Sequence, residues 1–181
     1  MKIHRLAVLS VVVVAGIAAV TPLARAADTT VTIALAGDLT ISAPSTVDFG
    51  TVSPAAGTTA SKQMGTVTVT DGRGSLLGWN VTAVTTTSSL STGGATPKTI
   101  ALSATGPLSW STGAVTAGTG SLLTGVAAGA GGFLSTTAIP VATALATTGG
   151  GTYTYAPTLG LVVPAGVEAG TYTVVVRQTV S

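Results

Sequence analysis

The chain has 181 residues, of which seven are Lys or Arg and five are Asp or Glu, with no cysteine and a single histidine, His4. The lack of cysteine excludes disulfides and thiol chemistry, and one histidine so near the start excludes Ser-His-Asp and Cys-His arrangements and nitrogen-rich metal sites in the rest of the chain. These counts favour a protein that binds or assembles over an enzyme.

The first 26 residues have the order of a secretory signal peptide. Lys2 and Arg5 form a basic start, residues 6–20 are apolar, and a small-residue A-R-A ends at Ala26. A membrane anchor is the alternative, but the apolar run is shorter than the roughly 20 residues that a span needs. We predict cleavage after Ala26, which leaves residues 27–181 as a single secreted domain without a membrane span.

Cleavage at this point would change the charge of the chain. Lys2, Arg5 and Arg25 would leave, so that four basic residues remain against five acidic ones and the formal net charge becomes −1. Four scattered cations cannot neutralise a row of phosphates, so we expect no nucleic-acid partner.

The predicted secreted domain alternates apolar and polar residues with a period of two, in segments rich in Val, Thr, Ile and Tyr, which is typical of strands. Turn sequences such as SAPS, DGRG and VPAGVEAG separate the segments. This organisation favours an all-β fold, an antiparallel β-sandwich, over βαβ units. The alternating segments are 29–35, 65–70, 78–84, 98–104, 152–164 and 171–180.

Two regions leave alternatives. Residues 111–151 are rich in Gly, Ala and Thr with weak alternation, and we predict long loops around one or two strands. The segment 171–180 is long and apolar, so it is either a central strand or an edge that a partner strand completes. Its inward-facing residues are predicted to be Tyr172, Val174, Val176 and Val180, with Thr171, Thr173, Arg177 and Thr179 facing outward.

The stretch TDGRGSLLGWNVT, residues 70–82, gathers an Asp, an Arg and a Trp in a chain with few charges. Gly72 and Gly74 permit the positive φ angles of a tight turn, and Asp71 can bond the backbone of that turn. Arg73 can pair with Asp71 or with carbonyls of another strand. Gly78 allows a close approach of two backbones.

The two tryptophans, Trp79 and Trp110, each have two interpretations. Either ring can anchor the core, and either can stack on a sugar ring, because aromatic faces offer a large contact area. The inward position of Trp79 on its predicted strand favours the core. The candidate binding residues are Asp71, Arg73, Gly74, Gly78, Trp79 and Trp110.

The acidic residues of the predicted secreted domain stand far apart in the sequence, at Asp28, Asp38, Asp48, Asp71 and Glu168. Calcium sites need clustered carboxylates, and glycosidases need two that face one bond. The sequence therefore predicts no catalytic activity, no cofactor and no metal site.

Two of these segments resemble the WxL-domain cell-surface proteins of Gram-positive bacteria. Asp48, Phe49 and Gly50 match the D-F-G element of that family, and Asp71, Arg73 and Gly74 match its D-x-R-G element. Gly78 and Trp79 match the G-W of G-W-x-L, with Val81 at the Leu position, and no second W-x-L occurs near residue 181. The resemblance implies secretion, a β-rich domain and non-covalent attachment to the peptidoglycan layer, often beside partner surface proteins.

We therefore carry two hypotheses about function. In the first, the protein is a non-catalytic surface protein that associates with the cell wall, either with peptidoglycan or another wall polymer or with surface partner proteins. In the second, it is a structural subunit of a surface layer, fibre or coat assembled through shared strands.

Overall fold

A computed structural model describes residues 33, 34 and 36–181, and this part of the chain is all-β without a helix. The predicted signal peptide and the predicted strand at 29–35 lie outside the described residues, except for Ile33 and Ala34, which are not in a strand. The fourteen strands belong to one compact unit. They are β1 (Leu39–Ser42), β2 (Thr59–Gln63), β3 (Val67–Asp71), β4 (Trp79–Thr85), β5 (Ser89–Ser91), β6 (Thr99–Ala101), β7 (Leu108–Ser111), β8 (Thr116–Ala117), β9 (Val126–Ala128), β10 (Gly132–Phe133), β11 (Ile139–Ala144), β12 (Gly151–Tyr155), β13 (Thr158–Val162) and β14 (Val176–Val180).

The strands form three four-stranded antiparallel sheets and one small hairpin. Sheet A has the order β1-β3-β12-β8, sheet B has the order β10-β7-β13-β2, and sheet C has the order β14-β4-β11-β9. The hairpin consists of β5 and β6. Every pairing between these strands is antiparallel, as the sequence predicts.

Sheets A and B are two halves of one bent surface. Three chain segments each supply one strand to sheet A and one strand to sheet B. These segments contain β2 and β3, β7 and β8, and β12 and β13, and the segment with β12 and β13 lies in the middle of both sheets. At the bend, the Met64 N–H donates to the carbonyl of Pro157 at 2.8 Å, so the pairing continues between the two halves. Ala156 and Pro157 break the predicted segment 152–164 at this point.

Sheet C packs on sheet A across a buried aromatic contact. The ring of Trp79 on β4 lies 5.5 Å from the ring of Tyr153 on β12, tilted by 56°. Each of these large rings buries more apolar area than an aliphatic side chain, so the pair contributes strongly to the core. The buried apolar side chains form one cluster that includes Val67, Val69, Trp79, Val81, Leu108, Trp110, Leu134, Val141, Tyr153, Tyr155 and Leu159. The result is the predicted sandwich-like, all-β architecture.

One prediction about the strands is wrong. The part of the chain within 111–151 contains four further strands, β8 to β11, rather than one or two. Strands β8, β9 and β10 have two or three residues each, so their pairing partners hold them rather than a strong local preference. Of the two alternatives for segment 171–180, the structure has the edge strand, because β14 is the last strand of sheet C. Its predicted alternation is confirmed, since residues 172, 174, 176 and 180 are half-buried and residues 171, 173, 177 and 179 are exposed.

Candidate functional site

The D-G-R-G stretch lies in the loop 72–78, which carries the chain from β3 in sheet A to β4 in sheet C. It is therefore a crossing between sheets and not the tight turn of a hairpin. Gly74 has a φ of 68° and Gly78 a φ of 76°, and both need the freedom of glycine. The prediction for Gly72 is wrong: it has no positive φ, and its N–H donates to the carbonyl of Asp38 at 2.9 Å.

Asp71 and Arg73 form a two-pronged ion pair at the start of this loop. Arg73 Nε donates to Asp71 Oδ1 and Arg73 Nη2 donates to Asp71 Oδ2, both at 2.9 Å. The Arg73 N–H also donates to Asp71 Oδ1 at 3.1 Å, and Nη2 donates to the carbonyl of Gly78 at 2.6 Å. Of the two partners predicted for Arg73, Asp71 is the one present, and the carbonyl that Arg73 also contacts belongs to the same loop and not to another strand. The ion pair ties the two ends of the loop together.

The carboxylate of this pair is buried, with 1% of the Asp71 side chain exposed against 26% of that of Arg73. The hydrogen bonds from Arg73 lower the pKa of Asp71, while burial acts in the opposite direction. Asp71 is therefore an ionised structural anchor whose acceptor oxygens are already engaged, and it is not placed to act as a general base.

Gly78 has the role predicted for it. A Cβ at this position would collide with the carbonyl of Ala144, at the end of β11. This close contact fixes the loop 72–78 against the loop 145–150 that follows β11. The contact continues through the Thr147 N–H, which donates to the carbonyl of Leu76 at 2.6 Å.

Two buried aromatic side chains, Trp79 and Tyr153, bind the neighbouring loops through hydrogen bonds to loop carbonyls. Trp79 Nε1 donates to the carbonyl of Gly149 at 2.9 Å. The Tyr153 hydroxyl lies 2.9 Å from the carbonyl of Leu122 and 3.1 Å from that of Gly150, and its single hydrogen is shared between these two acceptors. Burial raises the pKa of Tyr153. The loops 72–78, 118–125 and 145–150 therefore meet at one end of the sandwich, which we call the loop end.

The loop end exposes five leucines. Leu77, Leu122 and Leu145 are 71%, 74% and 64% exposed, and Leu76 and Leu123 are also exposed. Single exposed apolar residues are normal on a protein surface. Five of them on three adjoining loops form a cluster, and such clusters mark interaction sites.

A cleft of about 430 Å³ opens between the loops 72–78 and 145–150, and two of the five leucines, Leu77 and Leu145, line it. Arg73, Asn80 and Ser181 supply polar groups to its wall. This volume falls within the roughly 300–1,000 Å³ of sites that receive a ligand or a partner's side chain. The arrangement can bind an apolar group and orient it by a few hydrogen bonds.

Trp110, the sixth candidate binding residue, lies away from the cleft. Trp110 lies on β7 in sheet B, is buried, and donates from Nε1 to Thr112 Oγ1 at 3.2 Å. Trp79 is buried as well. Both rings belong to the core, and neither has a free face on which a sugar could stack. Of the six candidates, Arg73, Gly78 and Trp79 line the cleft, Asp71 holds Arg73, and Gly74 is an exposed turn residue.

Sequence reasoning missed the leucines, although a signal for them exists. The tetrapeptide G-S-L-L occurs twice, at 74–77 and at 120–123, and both copies lie at the loop end. The two glycines, Gly74 and Gly120, both have a left-handed φ, 68° and 81°. A repeat of this kind in two loops, each with a leading glycine, indicates two similar turns that present leucines to solvent.

Other kinds of site are absent from the part of the chain that the structure describes. No three His, Cys, Asp or Glu side chains there come together as a metal site would require. Likewise, the described residues include no helix with the length and apolarity to cross a membrane. No protein-family model, curated protein or solved structure matches this chain. The resemblance to WxL domains therefore stays a prediction from the motif residues.

Proposed function

We propose that this protein is a secreted, non-catalytic surface protein that associates with the Gram-positive cell wall by docking its loop end on a surface partner protein. The observation that carries the proposal is the exposure of five leucines on three anchored loops, two of which, 72–78 and 145–150, border a cleft. The signal-peptide pattern at residues 1–26 and the WxL-like motif support the surface location.

The chemistry of the loop end favours a protein partner over a wall polymer. Arg73 is the only charged residue in the loops 72–78, 118–125 and 145–150, and Asp71 already neutralises it. An anionic polymer would need free cations, and a glycan would need exposed aromatic faces. A cluster of exposed leucines instead matches the apolar side chains that form the centre of protein interfaces.

The test compares sedimentation of the protein with two preparations of Gram-positive cell wall, one untreated and one stripped of proteins by detergent and protease. The expected result is binding to the untreated wall alone, abolished in the double variant Leu77→Asn/Leu122→Asn. Val162→Asn is the matched control, because Val162 is an exposed apolar residue on β13 in sheet B. Equal binding to the stripped wall would show that a polymer is the ligand and overturn the choice of partner.

One observation favours the second hypothesis, a structural subunit that shares strands. In the described residues, β14 pairs with β4 on one side only, so sheet C ends in an open edge. A subunit of a fibre would accept a strand of the next copy there. Sizing of the concentrated protein separates the two functions, since open strand sharing yields a ladder of large species.

A further inference from the structure

The open edge of sheet C belongs to β14, and no described residue forms backbone hydrogen bonds with its outer side. Strand β1 lies beside it, but no backbone hydrogen bond joins the two among the described residues. An exposed strand edge is a template for pairing with another chain.

The pairing of β14 with β4 determines which backbone groups of β14 point away from β4. Ser181 and Asn80 exchange two hydrogen bonds, at 2.8 and 3.0 Å, and the carbonyl of Val175 accepts one from Thr86 at 3.0 Å. Antiparallel ladders alternate, so the odd-numbered residues of β14 direct their backbone groups to β4. The N–H and C=O groups of Val176, Gln178 and Val180 therefore point to the open edge.

We propose that β14 pairs antiparallel with β14 of a second copy of this chain, about a two-fold axis at Gln178. Gln178 then faces Gln178 of the second copy, and Val176 faces Val180 of the second copy. All the outward backbone groups of the strand find partners, and the two C sheets become one continuous sheet. The inference does not depend on the proposed function of the loop end.

The charge on β14 disfavours the neighbouring register, in which the two-fold axis lies at Arg177. Arg177 is exposed on the outer face of the strand, and in the proposed register it lies opposite Thr179 of the second copy, which is also exposed on that face. A two-fold axis at Arg177 would align the free backbone groups of Val176 and Gln178 but set two guanidinium groups directly opposite each other. Like charges in this position are destabilising, so the axis at Gln178 is favoured.

The proposed pairing has a consequence for function. It is isologous, so it closes at two copies and does not continue into a fibre. The loop end lies at the Ser181 end of β14, because Ser181 lines the cleft. Since the two strands run in opposite directions, the dimer presents its two loop ends at opposite poles. Such a dimer can bridge two partners that lie on opposite sides of it.

The test is sedimentation velocity of the purified secreted protein over a wide concentration range, with three variants. Thr179→Glu places a carboxylate opposite Arg177 of the second copy at two symmetric positions, and we expect the dimer Kd to fall about three- to tenfold. Thr179→Arg places like charges there, and we expect a rise of similar size. Thr59→Arg is the control, because Thr59 is exposed on β2, the edge strand of sheet B.

A thermal unfolding measurement by circular dichroism establishes that each variant keeps the fold. Several outcomes would overturn the proposal: a protein that stays monomeric at every concentration, species that grow beyond the dimer, or a dimer whose Kd moves in the same direction in both Thr179 variants. Leu77→Asn/Leu122→Asn must dimerise like the parent, so loss of the dimer in that variant would assign the interface to the loop end instead. Failure to bind the cell wall leaves the dimer test unaffected, and the two proposals can fail separately.

Discussion

The loop end has two layers that differ in their residues. The inner layer is the buried Asp71, Trp79 and Tyr153 with their partners, and the outer layer is the five exposed leucines. The inner layer contains the residue types that are rare in this chain, and each of them is already engaged: Asp71 with Arg73, Trp79 with Gly149, and Tyr153 with Leu122. The outer layer contains leucines that are exposed and have no evident structural role. In this molecule the unusual residue types mark where the loops are held, while residues common in the chain form the exposed surface.

The largest effect that would test this comparison is at Trp79. Trp79→Ala removes a buried ring that contacts Tyr153 and anchors Gly149, and we expect the free energy of unfolding to fall by about 3–5 kcal/mol. Denaturant unfolding measures the change. Trp79→Phe keeps an aromatic ring and should cost less. A Trp79→Ala variant as stable as the parent would mean that the inner layer does not support the fold.

A smaller effect is expected at Asp71. Asp71→Asn weakens the charged hydrogen bonds from Arg73 and should cost about 1–2 kcal/mol at neutral pH. Since folding lowers the pKa of Asp71, its contribution is complete above the unfolded pKa of about 3.9 and is lost as the pH falls through the folded value.

Unfolding experiments at pH 7 and pH 3 on the parent and on Asp71→Asn measure this dependence. The difference in stability between the two proteins should be larger at pH 7. Asp38→Asn, at an exposed carboxylate, is the control. A difference that is the same at both pH values would show that the charge of Asp71 contributes nothing.

The turns that present the leucines should respond to substitution of their glycines. Gly74→Ala and Gly120→Ala each force a Cβ into a left-handed conformation but meet no neighbouring atom, so each should cost about 1 kcal/mol. Chemical unfolding of the two variants checks whether the two turns behave alike. A large difference between them would contradict the similarity of the two G-S-L-L loops.

The smallest effect on stability is expected in the outer layer. Leu77→Asn/Leu122→Asn should change the free energy of unfolding by no more than about 0.5 kcal/mol, because both side chains are exposed. The same variant should lose association with the untreated cell wall. A marked loss of stability would place these leucines in the structural layer and remove the contrast between the two layers.

The sequence predicted the parts of this structure that depend on local order. The period-two alternation identified β3, β4, β12, β13 and β14, because a half-buried strand must present apolar residues on one face. It failed between β8 and β11, where Ala, Gly and Thr carry little contrast between buried and exposed positions. The ion pair of Asp71 with Arg73 was predictable because the two residues are two positions apart.

The sequence by itself determined the all-β class, the inward and outward faces of the segment 171–180 and the pairing of Asp71 with Arg73. Only the tertiary structure decided that both tryptophans are buried, that the two G-S-L-L loops share one end, and that β14 is an edge. The physical reason is the range of the interactions. Alternation and turn chemistry act between near neighbours, whereas exposure depends on which distant segments pack, such as Trp79 with Gly149 and Tyr153 with Leu122.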